Sequence, residues 1–291
     1  MRPPLPLFLI LATSLLTSCS APRSAKLYEA QGNIVHRDLV YATADGKKLL
    51  LDVYLPPEAK GTLVAKPRTY PVILWIYGGG WRWGSKDNVP VVTLTTAGFA
   101  LVSFNYRLDG HAKYPAQIDD CRAALRWIRQ NGSKYHLDPD RVGVLGASAG
   151  GHLAAMLGTT GGDAPDFPKA KAVCALYPPT DLITVVKEDQ RDDWLGLVPL
   201  LLGGPVNQKA DLARQGSPIR YVSQGDAPFF LIHGEQDTLV PKEQSQSMHR
   251  ALLKAGVPSK LKLFPEEKHG FYPDKALTQE IVDYFWTYLG R

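Results

Sequence analysis

Ser148 lies in the run Gly146-Ala147-Ser148-Ala149-Gly150, between the apolar stretch "RVGVL" and the alanine- and leucine-rich stretch "GHLAAM". A G-x-S-x-G run at a strand-to-helix junction forces the serine onto a sharp turn that lifts its hydroxyl above a sheet, where larger side chains at 146 and 150 would collide. A hydroxyl becomes a useful nucleophile only when a base takes its proton and a third group orients the base. Downstream, "FFLIHGEQDTLVP" puts Asp237 just after an apolar strand, and "LFPEEKHGF" puts His269 just after the next one. Serine, acid, histidine is the chain order that a nucleophile elbow uses. His233, His152 and His249 are weaker candidates for the base, since they fall within a strand end and two helical patterns. Asp226 and Asp181 rank below Asp237 as the acid.

Attack of Ser148 on a carbonyl would place negative charge on oxygen, and backbone N–H groups aimed at that oxygen are worth about 3 kcal/mol each. The segment "VILWIYGGGWRWGS", residues 72–85, runs an apolar strand into three glycines. Bare backbone at that position, after the third strand, suits Gly79 and Gly80 as oxyanion-hole donors, with the Ala149 amide as the donor next to the nucleophile. Trp81 and Trp83 flank this loop and are expected to bind substrate by stacking on a sugar or aryl ring, with filling of the core as the competing role. No CxxC or HExxH spacing occurs, so neither a metal nor any other cofactor is expected.

These residues need a scaffold that brings several strand ends to one edge. The stretches "IVHRDLVYAT" and "KLLLDVYLP" alternate like a half-buried hairpin. Six further runs, "PVILWIY", "FALVSFNY", "RVGVLG", "KAVCALY", "PFFLIHG" and "KLKLF", are nearly all apolar and predict central strands buried on both faces. Helical patterns alternate with them at "VPVVTLTTAG", "PAQIDDCRAALRWIRQNGSKY", "GGHLAAMLGTTG", "PKEQSQSMHRALLKAG" and "ALTQEIVDYFWTYL". The sum is an α/β architecture, a mostly parallel eight-stranded sheet with helices on both faces, in one domain over residues 33–291. Residues 181–221 break the alternation and read as an insertion at the carboxyl edge. The charged "EDQRDDW" within it is expected to border the cleft.

The 291 residues are 45% apolar and 10% aromatic, enough for a large core, and the 33 Lys and Arg against 28 Asp and Glu are dispersed. A formal charge of +5 without a basic run predicts a solvated surface and no nucleic-acid partner. Residues 1–18 combine Arg2 with an apolar stretch that is too short to span a bilayer, and end in "LTS" before Cys19. This resembles a lipoprotein signal, which implies a lipid on Cys19, attachment to the membrane only through that lipid, and, with Ser20 next, the outer-membrane sorting pattern of Gram-negative bacteria. Residues 19–32 are expected to be a tether. Cys121 and Cys174 fall in helical and strand patterns and are expected as small core residues.

In order and spacing, "LLLDVYLP", "YPVILWIYGGGW", "RVGVLGASAGGHLAAM", "YPPTDL", "SPIRYVS", "FFLIHGEQDTLVP" and "KHGF" resemble the α/β-hydrolase esterases of the hormone-sensitive-lipase-like group, and within it bacterial secreted feruloyl and acetylxylan esterases. The resemblance implies a serine carboxylesterase acting on short or aryl esters of plant-polysaccharide fragments through an acyl-enzyme. Tyr77 stands where that family carries a histidine before the three glycines. Two other readings remain open in the sequence, an amide or peptide hydrolase on the same scaffold and a non-catalytic binding lipoprotein. The natural acyl group, the alcohol and the oligomeric state are not encoded in any motif.

Overall fold

The computed structural model of the chain describes residues 24–57, 69–160, 170–185 and 196–290. The signal segment, Cys19 and "EDQRDDW" lie outside the described residues. Eight strands form one sheet in the order β1-β2-β4-β3-β5-β6-β7-β8. They are β1 (Val35–Ala44), β2 (Lys47–Tyr54), β3 (Tyr70–Ile76), β4 (Ala100–Phe104), β5 (Leu137–Ala147), β6 (Ala172–Leu176), β7 (Phe229–Gly234) and β8 (Ser259–Phe264). The β1–β2 hairpin is antiparallel, as is β2 against β4, and every other pair is parallel.

Successive side chains of a strand point to opposite faces, yet Val72 through Ile76 are all fully buried, so both faces of the sheet are covered there. Helices α2 (Ala116–Asn131) and α3 (Ala149–Thr159) pack on each other and on β5, whereas α7 (Lys275–Leu289) packs on β5 and β6. Three shorter or amphipathic helices complete the described set between these: α4 (Leu197–Leu202) and α5 (Ala210–Gln215) in the insertion, and α6 (Glu243–Lys254) between β7 and β8. Cys121 and Cys174 are buried, and burial pushes both thiols up from their ordinary range.

Three sequence expectations are corrected. Strand β8 is an edge strand rather than a central one, and its side chains are mostly half-buried. Its alternation of lysine and leucine lets Lys260 and Lys262 both reach Glu280 of α7 at the surface, a charged rim that discourages pairing with another chain. The stretch "VTLTTA" forms a 3₁₀ turn, Val92–Ala97, rather than an α-helix. There the Thr95 and Thr96 hydroxyls donate to the carbonyls of Val92 and Thr93 at 2.6 and 2.7 Å, the local bonding by which threonine competes with helix propagation. Part of the supposed tether is helix α1 (Ser24–Ala30), seated on the domain. Ala25 and Tyr28 share one helical face and are buried, the Tyr28 hydroxyl donates to the Leu55 carbonyl at 2.7 Å, and the Val89 N–H donates to Ser24 Oγ at 3.0 Å.

Parallel strands end at a common edge, and their pairing dictates which loops meet there. Ile76 lies opposite Gly146, Ala147 opposite Leu176, Leu176 opposite Ile232, and Gly234 opposite Phe264. The loops leaving β3, β5, β6, β7 and β8 are therefore neighbours.

Candidate active site

Ser148 takes φ 54° and ψ −121° between β5 and α3, with its N–H donating to the Leu176 carbonyl at 2.9 Å. Such a backbone is costly for a non-glycine residue and persists only where the surroundings enforce it. Here they do. A Cβ on Gly150 would lie 2.0 Å from the Ile76 carbonyl oxygen, and one on Gly146 would lie 2.2 Å from the Gly150 oxygen, so β3, the elbow and α3 can close together only with hydrogen at both positions.

His269, in the loop after β8, places Nε2 at 2.8 Å from Ser148 Oγ and Nδ1 at 2.7 Å from Asp237 Oδ2. Asp237, in the loop after β7, accepts the Leu239 and Val240 N–H groups on Oδ1, each at 2.8 Å. Burial alone would raise this carboxyl. The hydrogen bonds from His233, His269 and the backbone outweigh burial and hold it well below the usual carboxylate range. The competing acids are elsewhere: Asp226 caps an exposed turn by accepting from Ser223, and Asp181 accepts from Ile183 N–H.

Two supporting residues have no counterpart in the sequence reading. His233, weighed there only as a rival base, is fully buried behind Asp237, with Nε2 at 3.1 Å from Asp237 Oδ2 and 2.8 Å from the Val240 carbonyl. A nitrogen facing a carbonyl must carry a proton, so Nε2–H is the donor to Asp237 and Val240, while Nδ1 lies 2.7 Å from the Ser245 hydroxyl. The i, i+4 spacing of His233 and Asp237 was the available signal. Tyr177, the residue after β6, takes φ 39°, packs at an edge angle against His269 at 4.7 Å and donates its hydroxyl to the Phe271 carbonyl at 2.8 Å, which fastens the loop that carries the histidine. No motif marks it.

Opposite the serine, Gly79 adopts φ 112°, and a Cβ there would lie 2.3 Å from the Trp83 carbonyl oxygen. The turn is closed by the Arg82 and Trp83 N–H groups, which both donate to the Gly79 carbonyl at 3.0 Å. Among the described residues no hydrogen bond uses the Gly79 or Gly80 N–H, and Ala149, as the first residue of α3, has an N–H with no partner within its helix. Tyr77 stacks on Tyr106 with ring centroids 4.5 Å apart and fills the space beneath Gly84, while its carbonyl accepts the Tyr106 hydroxyl at 3.1 Å. The tyrosine thus props the glycine loop by packing.

The two tryptophans separate. Trp81 is 2% exposed and 81 is a positive-φ position, so its ring turns inward and donates Nε1–H to His152 Nδ1 at 3.2 Å. It cannot offer a ring face to a sugar, and the expectation that it stacks on substrate is corrected: it joins the loop to α3. Trp83 is 54% exposed at the mouth of the cleft, with the Arg82 guanidinium 5.7 Å from its ring centre and Arg82 itself held by buried Asp109 at 3.0 Å.

His152 completes the bracket by donating Nε2–H to the Gly216 carbonyl at 2.6 Å. Burial pushes its pKa down from 6.5 to about 4, only partly offset by that bond. Below pH 6.5 the unfolded chain binds a proton that the folded chain refuses until about pH 4. Stability contributed by this residue is therefore complete above pH 6.5 and declines as the pH falls to about 4, by about 3 kcal/mol at most. Denaturant titrations should show the wild type losing stability relative to His152→Gln across that window; a constant difference from pH 7 to pH 4 would exclude the effect.

The cleft in which these groups meet is about 420 Å³, walled by Gly78–Trp81 and Trp83 on one side and by Tyr177, Leu239, Val240 and His269 on the other. A hydroxyl, an imidazole and a buried carboxylate in sequence, facing free backbone amides, are equipped for acyl transfer. The BD-FAE family model matches residues 51–252 of the chain, more than half its length.

The chain belongs to the BD-FAE family.

It is 28% identical over 294 residues to the esterase LipQ of Mycobacterium tuberculosis, covering 96% of this chain and 68% of LipQ. A truncated carbohydrate esterase from gut microbiota superposes with a TM-score of 0.78 at 28% identity, covering 89% of this chain and 97% of that one. An acetyl ester-xyloside bifunctional hydrolase from Caldicellulosiruptor lactoaceticus superposes with a TM-score of 0.70 at 27% identity, covering 86% and 95%. With its mostly parallel eight-stranded sheet the chain has the α/β-hydrolase fold, and LipQ and both of these solved structures are named as esterases or ester hydrolases.

Proposed function

We propose that this BD-FAE protein is a serine esterase that removes short acyl groups, acetyl above all, from carbohydrate esters. The observation that carries the mechanism is the unbroken chain from Ser148 Oγ through His269 to Asp237 at the floor of an open cleft. With the Nδ1 proton donated to Asp237, Nε2 of His269 is the free acceptor for the serine proton. Ser148 Oγ attacks the ester carbonyl, the Gly79, Gly80 and Ala149 amides take the developing oxyanion, and His269 then protonates the leaving alcohol. Water, deprotonated by the same imidazole, releases the acid from the acyl-enzyme. Asp237 stays ionised throughout, because its four donors hold it so.

Two features support the substrate class. Leu197 of α4 packs so closely on the glycine loop that a Cβ on Gly80 would lie 2.7 Å from its Cδ1, which restricts room for a long acyl chain beside the serine. At the mouth, Trp83 offers an exposed aromatic face to the alcohol half of the ester. Two of the solved relatives carry carbohydrate or acetyl ester-xyloside activity in their names, in keeping with this reading.

Activity on p-nitrophenyl esters is expected to peak at acetate or propionate and to fall steeply by octanoate. Trp83→Ala should reduce kcat/KM for acetylated xylo-oligosaccharides about fivefold more than for p-nitrophenyl acetate, as a stacking contact of about 1 kcal/mol would. An optimum at octanoate, or equal losses on both substrates, would overturn the assignment of the acyl or alcohol side respectively.

A further inference from the structure

A second cleft of about 320 Å³ lies on the far side of the glycine loop and shares Tyr77 and Gly84 with the first as a common rib. Its walls come from the β1–β2 turn, with Asp45, Lys47 and Lys48, and from the segment after β4, with Asn105, Arg107 and His111. The carboxylates nearest this wall are already engaged: Arg107 binds Asp120 at 2.8 Å and Asp45 at 3.0 Å. Lys47 and Lys48 are exposed and make no ion pair among the described residues. A cleft that adjoins the ester site across Tyr77 and Gly84, with two ammonium groups that make no ion pair among the described residues and an amide side chain, is chemically matched to a sugar that carries a carboxylate.

We propose that this second cleft is a subsite for an acidic sugar, a uronate unit on the alcohol side of the ester, so that the enzyme prefers acetylated oligosaccharides bearing uronic acid over neutral ones. The proposal rests on the esterase reading above and specifies its substrate. Lys47 and Lys48, successive residues that leave the start of β2 on opposite faces, set a positive field at this end of the cleft that holds the carboxylate, while Ser148 reacts with an acyl group on a neighbouring sugar, the chain crossing the rib formed by Tyr77 and Gly84. The interaction is electrostatic and exposed, so salt must weaken it.

The test compares three substrates at low salt: p-nitrophenyl acetate, acetylated neutral xylo-oligosaccharides, and acetylated xylo-oligosaccharides bearing a uronic acid. Wild type should show a higher kcat/KM on the uronate-bearing substrate than on the neutral one, through KM, and 0.5 M NaCl should erase the difference. In Lys47→Gln/Lys48→Gln the uronate preference should fall about five- to tenfold, the size of two solvent-exposed ion contacts, with p-nitrophenyl acetate and the neutral oligosaccharide unchanged. Both lysines are exposed at a strand start, so folding is unaffected, and an unchanged thermal midpoint verifies it. Equal kcat/KM on the two oligosaccharides in wild type, or equal loss on all three substrates in the variant, would overturn the subsite. Absence of p-nitrophenyl acetate hydrolysis in wild type would instead overturn the esterase reading on which it stands.

Discussion

Ser148→Ala is expected to lower kcat on p-nitrophenyl acetate by at least about ten-thousandfold while leaving the fold intact, the scale on which serine hydrolases depend on their nucleophile. Without the hydroxyl there is no atom 2.8 Å from His269 Nε2 that can form the acyl-enzyme, and only the amides and the cleft remain to assist water. The side chain has little structural role besides. It makes no capping hydrogen bond to α3, and alanine occupies the same φ 54° backbone at a similar cost. Thermal unfolding of the variant should therefore track the wild type within a few degrees, and substrate should still bind. Turnover within tenfold of wild type in a folded variant would remove Ser148 from the chemistry.

Asp237→Asn should cost about ten-thousandfold in kcat, by a different route. The carboxylate accepts from four donors, with Leu239 and Val240 N–H on Oδ1 and the two imidazoles on Oδ2. An asparagine satisfies the backbone pair with its oxygen and then presents an NH₂ group to His269 Nδ1. To accept from it, His269 must carry its proton on Nε2, the nitrogen that has to receive the proton of Ser148. Geometry survives and the tautomer is wrong. Asp226→Asn, by contrast, alters an exposed turn with Ser223 away from the cleft and should stay within twofold of wild type. Single-turnover measurements on both variants check the ranking, and a larger loss at position 226 than at 237 would reassign the acid.

His233 explains why Asp237 can be buried at all. A carboxylate in that position needs its second oxygen satisfied on the side away from His269, and the imidazole of His233, held by Ser245 and the Val240 carbonyl, supplies the donor. The pair sits at i, i+4 across the end of β7, with His233 in the strand and Asp237 in the loop that leaves it.

Much of this was legible in the chain itself, wherever the physics is local. Ser148 could be placed because a strand-to-helix turn with glycine at 146 and 150 is a steric solution with few alternatives, and the structure shows both glycines against backbone oxygen. Asp237 and His269 followed from them because parallel strands all deliver their ends to one edge, which makes order along the chain a guide to proximity in space. The alternation of apolar runs and helical patterns determined an α/β sheet for the same reason: hydrophobic period is a short-range property. What tertiary structure decided were the matters of which neighbour each residue meets. The lysine and leucine alternation of β8 became an edge because, among the described residues, no strand pairs beyond it and Glu280 was there for its lysines. Residues 24–30 became a docked helix because Leu55 and Val89 supply partners from elsewhere in the chain. Trp81 and Trp83, two residues apart and alike in type, took opposite fates: a positive φ turned one inward to His152, and the chain left the other in solvent beside Arg82. Side-chain type sets what a residue can do, but burial and hydrogen bonding depend on long-range packing, which no local spacing encodes.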